Sequence, residues 1–161
     1  MGSIFLIRHG EAGRRSEWTA PDHLRPLTAQ GEQQALGLVP LLSAAGAGPV
    51  LSSPYVRCVQ SVEPLAAALG VAIEEAAWLA EGASPAAALD RLAALPDPAY
   101  ACTHGDVVEG ILGILGEAGV LLDGRSGNGE ETRKGATWVL ERAGVQGESR
   151  IAAGRLLPPP A

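Results

Sequence analysis

An α/β fold with a mainly parallel central sheet and helices on both faces is predicted by the composition and by the order of the apolar segments. Hydrophobic residues make up 47% of the 161 residues, but aromatic residues make up only 4%. A core built from Ala, Leu and Val favours helices packed on a sheet over an aromatic-rich β-sandwich. Short apolar runs, typical of buried parallel strands, alternate along the chain with segments of helical spacing.

The N-terminal part of the chain is predicted to contain a buried strand, a long loop and a helix. Residues 3–7 form a short continuous apolar run, which predicts the strand. Residues 10–27 carry Gly, Arg, Trp, Pro and Asp without periodicity, and a loop of that length in a compact domain is usually functional. Thr28 can cap a helix over residues 29–39, which Pro40 should kink or end.

The rest of the chain continues the alternation of strands and helices. Residues 50–53 form a second apolar run, and Ser53-Pro54 is a suitable N-cap and first-turn pair for a helix that reaches Leu69 and ends at Gly70. The remaining predicted elements are a strand over 71–73, a helix over 84–95, a strand over 99–103, a helix containing Val108, Ile111, Leu112 and Leu115, a polar Gly-rich loop over 123–135, and closing strands over 136–140 and 150–156.

Length, charge and cysteine content limit the kinds of protein that the chain can be. We expect one domain over residues 1–157 and a Pro-rich tail over 158–161, because 161 residues fit a single core. A formal net charge of −6 argues against nucleic acid or an anionic membrane as partners. Cys58 and Cys102 are too few for a disulfide scaffold and are expected to be buried thiols. The N-terminal apolar run is too short for a signal peptide, so we expect a cytoplasmic protein.

Polar residues follow three of the predicted strands. Arg8-His9-Gly10 ends the first strand, Arg57 comes one turn after the second, and His104-Gly105 ends the strand over 99–103. Because ligands of open α/β sheets bind outside the carboxyl ends of the strands, these residues should converge at one edge. Arginine forks match phosphate oxygens, and a helix N-terminus favours an anion. The sequence therefore predicts a phosphate site.

The histidines at this edge add a nucleophile to the predicted phosphate site. A neutral imidazole of His9 can attack phosphorus in line and form a phosphohistidine that water hydrolyses. Neighbouring arginines should lower the pKa of His9 and keep it neutral. Gly10 and Gly105 would allow the backbone to approach the phosphate. A phosphatase is the first hypothesis, and a binding module for phosphate or a phosphoprotein is the alternative, which would need the arginines but not both histidines.

Several other sites are disfavoured by the sequence. The chain lacks the Cys-x5-Arg, Walker A and Gly-x-Ser-x-Gly patterns, and its three histidines have no metal-ligand spacing. We therefore expect no metal and no cofactor. His23 is expected at the rim or surface. Arg14-Arg15 either reaches over the substrate or is a solvated pair of loop charges.

The motifs also resemble those of the histidine phosphatase (phosphoglycerate-mutase-like) superfamily over essentially the whole chain. The short length, without an inserted cap, resembles the SixA branch, whose members act on phosphohistidine. The likeness is greatest to the phosphatase-like domain that follows a Nudix domain in actinobacterial MutT-type proteins. The matching segments are Ile7-Arg8-His9-Gly10-Glu11, Arg25-Pro26-Leu27-Thr28-Ala29-Gln30-Gly31, Ser52-Ser53-Pro54-Tyr55-Val56-Arg57-Cys58-Val59-Gln60-Ser61, Thr103-His104-Gly105 and Arg133-Lys134-Gly135-Ala136-Thr137-Trp138-Val139-Leu140.

This resemblance implies a three-layer α/β/α sandwich without a large cap insertion. It also implies a metal-independent phosphatase with His9 as nucleophile and with Arg8, Arg57 and His104 as phosphate ligands. The substrate would be a phosphohistidine protein or a phosphorylated small molecule, with a nucleotide-directed activity beside a Nudix partner as another alternative. Many relatives use a Glu after the third strand as general acid, which points to Glu81; Asp106, or no dedicated acid, is the other possibility.

Overall fold

The computed structural model describes residues 2–144 and 150–160, which form a seven-stranded sheet with four α-helices. The strands are β1 Gly2–Arg8, β2 Val50–Ser52, β3 Ile73–Glu75, β4 Ala99–Thr103, β5 Leu121–Asp123, β6 Thr137–Ala143 and β7 Arg150–Leu157. The helices are α1 Ala29–Leu42, α2 Val56–Leu69, α3 Pro85–Ala93 and α4 Gly105–Glu117. No helix in the described part of the chain is both long and apolar enough to cross a bilayer.

The sheet is mixed, with the strand order β3-β2-β4-β1-β6-β7-β5. The four strands from β3 to β1 pair in parallel, and β5 pairs in parallel with β7. Only the pairings of β6 with β1 and with β7 are antiparallel within the described residues. One strand therefore runs against the other six, which agrees with the prediction of a mainly parallel sheet.

Alternation along β1 divides the core into two layers. Ile4 and Leu6 belong to the core that packs under α3 and α4. Phe5 and Ile7 belong to the core that packs under α1 and α2. Because successive side chains of a strand point to opposite faces, the sheet lies between two pairs of helices. The predicted three-layer α/β/α sandwich is confirmed.

Several elements differ from the sequence prediction; among them, the helix predicted over 84–95 ends at Ala93 and the strand predicted over 136–140 continues to Ala143. Pro40 does not end α1, which continues to Leu42. The third strand lies at Ile73–Glu75 rather than 71–73. The N–H of Val71 still donates to the carbonyl of Ala66 in α2, so the strand begins only after this cap. Leu121–Asp123 adds an edge strand that the sequence analysis did not predict. Three-residue strands carry too few side chains to show a period of two, so pattern alone does not reveal them.

The start of α2 differs for a reason that concerns the site. Tyr55, not Ser53, is the N-cap residue, and it makes no side-chain cap hydrogen bond. The hydroxyl of Ser53 instead lies 2.9 Å from His104 Nε2 and accepts a 3.2 Å hydrogen bond from the Tyr55 N–H. The Ser53-Pro54 pair, which looks like a helix start, therefore orients a histidine.

Candidate active site

The polar residues that follow β1, β2 and β4 meet at the carboxyl edge of the sheet. The imidazole rings of His9 and His104 lie with their centroids 5.3 Å apart. Arg57, in the first turn of α2, is 1% exposed and contacts the ring of Tyr55 beside His104. Both histidines are almost fully buried. The structure thus brings together the residues that the sequence analysis singled out.

His9 presents an unprotonated nitrogen to the site. Its Nδ1 lies 2.8 Å from the carbonyl oxygen of Gly10. A carbonyl can only accept, so Nδ1 carries the hydrogen and Nε2 keeps its lone pair. Burial is the largest cause that lowers the pKa of His9 to about 2, with smaller lowering effects from Arg8, His104 and Arg57 and an opposing, raising effect from the hydrogen bond to the Gly10 carbonyl. The expected arginine effect is present, but burial is the larger cause.

Three buried nitrogens around this histidine have no hydrogen-bond partner among the described residues: Arg8 Nε, Arg57 Nε and His104 Nδ1. The Ser53 hydroxyl is free to donate its hydrogen to His104 Nε2, which leaves the imidazole hydrogen on Nδ1. A buried donor without a partner costs about 1–3 kcal/mol. Three unpartnered donors beside one nucleophilic nitrogen are therefore suited to an anion with several oxygens.

A cavity of about 350 Å³ opens onto His9, Arg8 and Arg57, whereas His104 is not one of its lining residues. It is lined by five cationic side chains together with one histidine, one glycine and one carboxylate: Arg8, Arg15, Arg25, Arg57, Lys134, His9, Gly13 and Glu81. The positive charge is local, because the whole chain has a net charge of −6. Such a cluster attracts a phosphoryl dianion to this edge of an otherwise acidic protein.

Asp22 and Arg25 are parts of the site for which the sequence analysis assigned no role. Asp22 Oδ2 accepts from Arg57 Nη2 at 3.0 Å, and its backbone carbonyl accepts from Arg57 Nη1 at 2.9 Å. Its other carboxylate oxygen accepts from Arg25 Nε at 3.0 Å. Partial burial alone would raise the pKa of Asp22, but the hydrogen bonds from Arg25 and Arg57 lower it below its ordinary value. Asp22 therefore orients both guanidinium groups.

Arg25 also fixes the loop behind the nucleophile. Its Nη1 donates to the carbonyl oxygens of Ala12 at 2.7 Å and of Gly13 at 3.3 Å. It is 7% exposed although it lies in a loop rich in polar residues. Loops carry no periodicity that marks a buried side chain. The only sequence signal for Arg25 as a site residue is therefore the Arg25-Pro26-Leu27 segment shared with the family.

Glu81 lies at the mouth of the cavity. Both of its oxygens accept from Arg15 Nη2, at 2.8 and 3.0 Å. Oε1 also lies 3.5 Å from Arg57 Nη2 and 4.0 Å from His104 Nδ1. The sequence leaves two interpretations of Arg14-Arg15 open. For Arg15, the structure supports the one in which the side chain reaches over the site.

Asp106, the other candidate acid, does not line the cavity. Its Oδ2 accepts a 2.8 Å hydrogen bond from the Gly82 N–H and so holds the turn that carries Glu81. Thr103 supports the same segment from β4, because its hydroxyl donates to the carbonyl of Leu79 at 2.6 Å. The two residues thus position the loop after β3.

Gly105 makes room for Arg8. A Cβ at Gly105 would lie 2.9 Å from Arg8 Cζ, so a larger residue would displace that guanidinium. Arg8 Nη1 donates to the carbonyl of Thr132 at 2.7 Å on its other side. Gly105 is not among the residues that line the cavity, and its own contact with phosphate stays a prediction.

Ser61 connects the nucleophile loop to α2. Its hydroxyl accepts from the Gly10 N–H at 2.9 Å and donates to the Arg57 carbonyl at 2.7 Å. The register of His9 against Arg57 is therefore fixed by one side chain. His23 is exposed, with its ring centroid 6.2 Å from that of Tyr55, which agrees with the expected rim or surface position. Cys58 and Cys102 are free, buried thiols, and Cys58 Sγ lies 3.5 Å from His104 Nε2.

Fold and site together are of the kind found in the histidine phosphatase class of proteins. Residues 4–86 match the histidine phosphatase superfamily (branch 1), and the chain belongs to this family. The chain is 38% identical, over 98% of its length, to an 8-oxo-(d)GTP phosphatase of Mycolicibacterium smegmatis, and it covers 48% of that protein. It thus spans about half the length of this relative.

Solved structures of the same fold include SixA-type proteins. The protein of this type from Agrobacterium tumefaciens superposes with a TM-score of 0.69 at 20% identity, over 98% of both chains. The protein histidine phosphatase SixA in complex with tungstate superposes with a TM-score of 0.65 at 21% identity, over 86% of this chain and 87% of the other. The mycobacterial glucosyl-3-phosphoglycerate phosphatase in complex with VO3 has a TM-score of 0.66 at 14% identity, with full coverage of both chains.

Proposed function

We propose that the protein hydrolyses a phosphoryl group through a phosphohistidine formed on His9. His9 Nε2 attacks phosphorus while the bond to the leaving group breaks, and a P–N bond forms. Water then attacks the phosphohistidine, the P–N bond breaks, and inorganic phosphate leaves with the imidazole restored. Arg8, Arg57 and His104 bind the phosphoryl oxygens through their unpartnered nitrogens and stabilise the charge of the transition state.

One observation carries this proposal: a neutral histidine with a free Nε2 lies beside three buried donors that lack partners. A module that only binds phosphate needs the donors, but it gains nothing from a nucleophilic nitrogen. Glu81 is proposed as the proton donor to the leaving group, because it lies at the cavity mouth and faces His104 and Arg57.

The direct test uses p-nitrophenyl phosphate. His9→Ala should abolish turnover, and Arg57→Ala should lower kcat by about 10²–10³, as removal of a charge-stabilising donor does in other enzymes. Arg125→Ala is the matched control, because Arg125 pairs with Glu109 away from the cavity. Acid-quenched wild-type protein should carry phosphate on a histidine. Phosphate on serine or cysteine, or turnover by His9→Ala, contradicts the mechanism.

The same assay tests metal independence. No group of three or more His, Cys, Asp or Glu side chains within residues 2–144 and 150–160 is arranged to hold a metal ion. The guanidinium groups supply the positive charge that a metal would bring to a phosphoryl transfer. We expect full activity in EDTA, and activity lost on chelation and restored by magnesium or zinc would refute this part of the proposal.

The substrate is proposed to be a phosphohistidine protein or a phosphorylated small molecule, in the cytoplasm. The SixA-type structures support the first class through their fold. A nucleotide-directed phosphatase is a second candidate, supported by the 38% identity to the 8-oxo-(d)GTP phosphatase. Neither nucleic acid nor a membrane is proposed as a partner.

A further inference from the structure

A second cavity adjoins the phosphoryl site. It has a volume of about 230 Å³ and shares Gly13 and Arg25 with the first cavity. Its lining combines apolar groups, one aromatic ring, two arginines and a carboxylate: Ala12, Gly13, Arg14, Glu17, Trp18, Arg25, Pro26, Leu27 and Thr28. The two shared residues place this groove next to the cavity that His9 lines.

Trp18 is the aromatic residue of this groove, and it has no role in the core. Trp138 is buried in the core beneath α3 and α4, and Trp78 packs against that core. Trp18 belongs to none of the described core clusters. Its Nε1 donates to the Pro21 carbonyl at 3.0 Å, which holds the indole in place. In a chain that is only 4% aromatic, one indole thus lines the groove next to the His9 cavity.

We propose that this groove binds the base of a nucleoside phosphate. The proposal rests on the proposed function, since it takes the phosphoryl group to be bound at His9. The base stacks on Trp18, as bases do on aromatic side chains in many nucleotide sites. Arg14 provides donors for ring nitrogens or carbonyls, and Glu17 provides an acceptor for N–H groups of the base edge. Guanosine 5′-phosphate and ribose 5-phosphate differ only in the base, so they isolate its contribution.

The test measures the inhibition constants of these two compounds against p-nitrophenyl phosphate hydrolysis. Stacking on an aromatic ring is worth roughly tenfold or more in affinity, so guanosine 5′-phosphate should bind the wild type about tenfold more tightly. Trp18→Leu should remove this difference and leave the inhibition constant of ribose 5-phosphate unchanged. Trp18→Phe should keep most of the difference. Trp78→Leu, outside the groove, should leave it intact.

Two outcomes overturn the inference without touching the phosphatase proposal. The first is equal inhibition by the two compounds in wild-type protein that still hydrolyses p-nitrophenyl phosphate through His9. The second is an unchanged preference in Trp18→Leu. If Trp18→Leu instead lowers kcat/KM for a phosphohistidine peptide while the two inhibition constants stay equal, the groove recognises protein. Failure of the wild type to form phosphohistidine would refute the proposed function itself.

Discussion

His9 is held neutral by its surroundings, and this has a measurable effect on stability. Its pKa in the folded protein is about 2, whereas the ordinary value is 6.5. Between these values the unfolded chain binds a proton that the folded protein does not, so the free energy of unfolding falls as the pH drops below about 6.5. The neutral His9 therefore favours the folded state fully above pH 6.5, and this stabilisation decreases as the pH falls below that value.

The stability prediction compares His9→Asn with the wild type. Each pH unit below 6.5 should remove about 1.4 kcal/mol from the wild type through this group, so about 2–3 kcal/mol is lost between pH 6.5 and 4.5. Over the same pH range, the free energy of unfolding of His9→Asn should therefore fall by about 2–3 kcal/mol less than that of the wild type. Urea unfolding at a series of pH values measures the difference. Parallel pH profiles for the two proteins would show that His9 is not buried as the structure describes.

Glu81 leads to a prediction about leaving groups. An alkyl phosphate leaves as a basic alkoxide and needs a proton from a positioned acid, whereas an aryl oxide is a weaker base. Glu81→Gln should therefore slow an alkyl phosphate by about 10²–10⁴ in kcat and an aryl phosphate much less. Hydrolysis of phosphohistidine, whose leaving group is an imidazole, should hardly be affected.

The control for Glu81→Gln is Glu117→Gln, because Glu117 is an exposed residue at the end of α4. Steady-state kinetics with both substrate types in each variant give the ratio that tests the assignment. Equal small losses on alkyl and aryl phosphates would show that Glu81 serves as an ion-pair partner of Arg15 and not as the acid.

At the scale of single elements, the sequence predicts the helices and long strands well because their patterns are local. Thr28 and Ser84 cap α1 and α3 as expected, and Gly70 ends α2 with a left-handed φ of 72°. Ser53-Pro54 looks like a helix start, but the Ser53 hydroxyl instead contacts His104, the residue that follows β4. A contact between residues 51 positions apart is not encoded in either local pattern.

The N-caps of α1 and α3 should contribute equally to stability but differently to activity. Thr28 Oγ1 accepts from the Gly31 N–H and also donates to the Glu11 carbonyl, directly after the nucleophile loop. Ser84 Oγ accepts from the Ala87 N–H, and Ser84 is not one of the residues that line the cavity. Each change to Ala should lower the free energy of unfolding by about 1 kcal/mol. Thr28→Ala should also lower kcat/KM by up to about tenfold, because the loop that carries His9 shifts.

Ser84→Ala is the matched control for Thr28→Ala, since it removes a cap of the same kind away from the site. Denaturant unfolding and steady-state kinetics on the two variants separate stability from positioning. If both variants lose stability and keep full activity, the Thr28–Glu11 contact does not position the nucleophile.

At the scale of the whole molecule, topology explains which site residues the sequence could indicate. Arg8, His9, Arg57 and His104 follow strands, and parallel strands bring their carboxyl ends to one edge. Asp22, Arg25 and Lys134 come from loops, which have no period and no fixed direction. Their approach to the cavity depends on how residues 10–27 and 123–135 fold back over the sheet. Lys134 pairs with Glu11 at 3.1 Å, a contact that spans most of the chain.

An oxyanion bound at the site should stabilise the whole fold. Buried donors on Arg8, Arg57 and His104 have no partner among the described residues, and this destabilises the folded state. A tetrahedral oxyanion such as tungstate binds the folded protein only, and at 100 times its Kd it should stabilise the fold by about 2.7 kcal/mol. For a chain of this length that corresponds to a rise in Tm of about 5–10 °C. Arg57→Ala should lose most of this rise, while Arg125→Ala should keep it, with chloride at equal ionic strength as the reference. Since screening by salt acts equally on all variants, an equal rise in Arg57→Ala would place the oxyanion somewhere other than the edge where β1, β2 and β4 end.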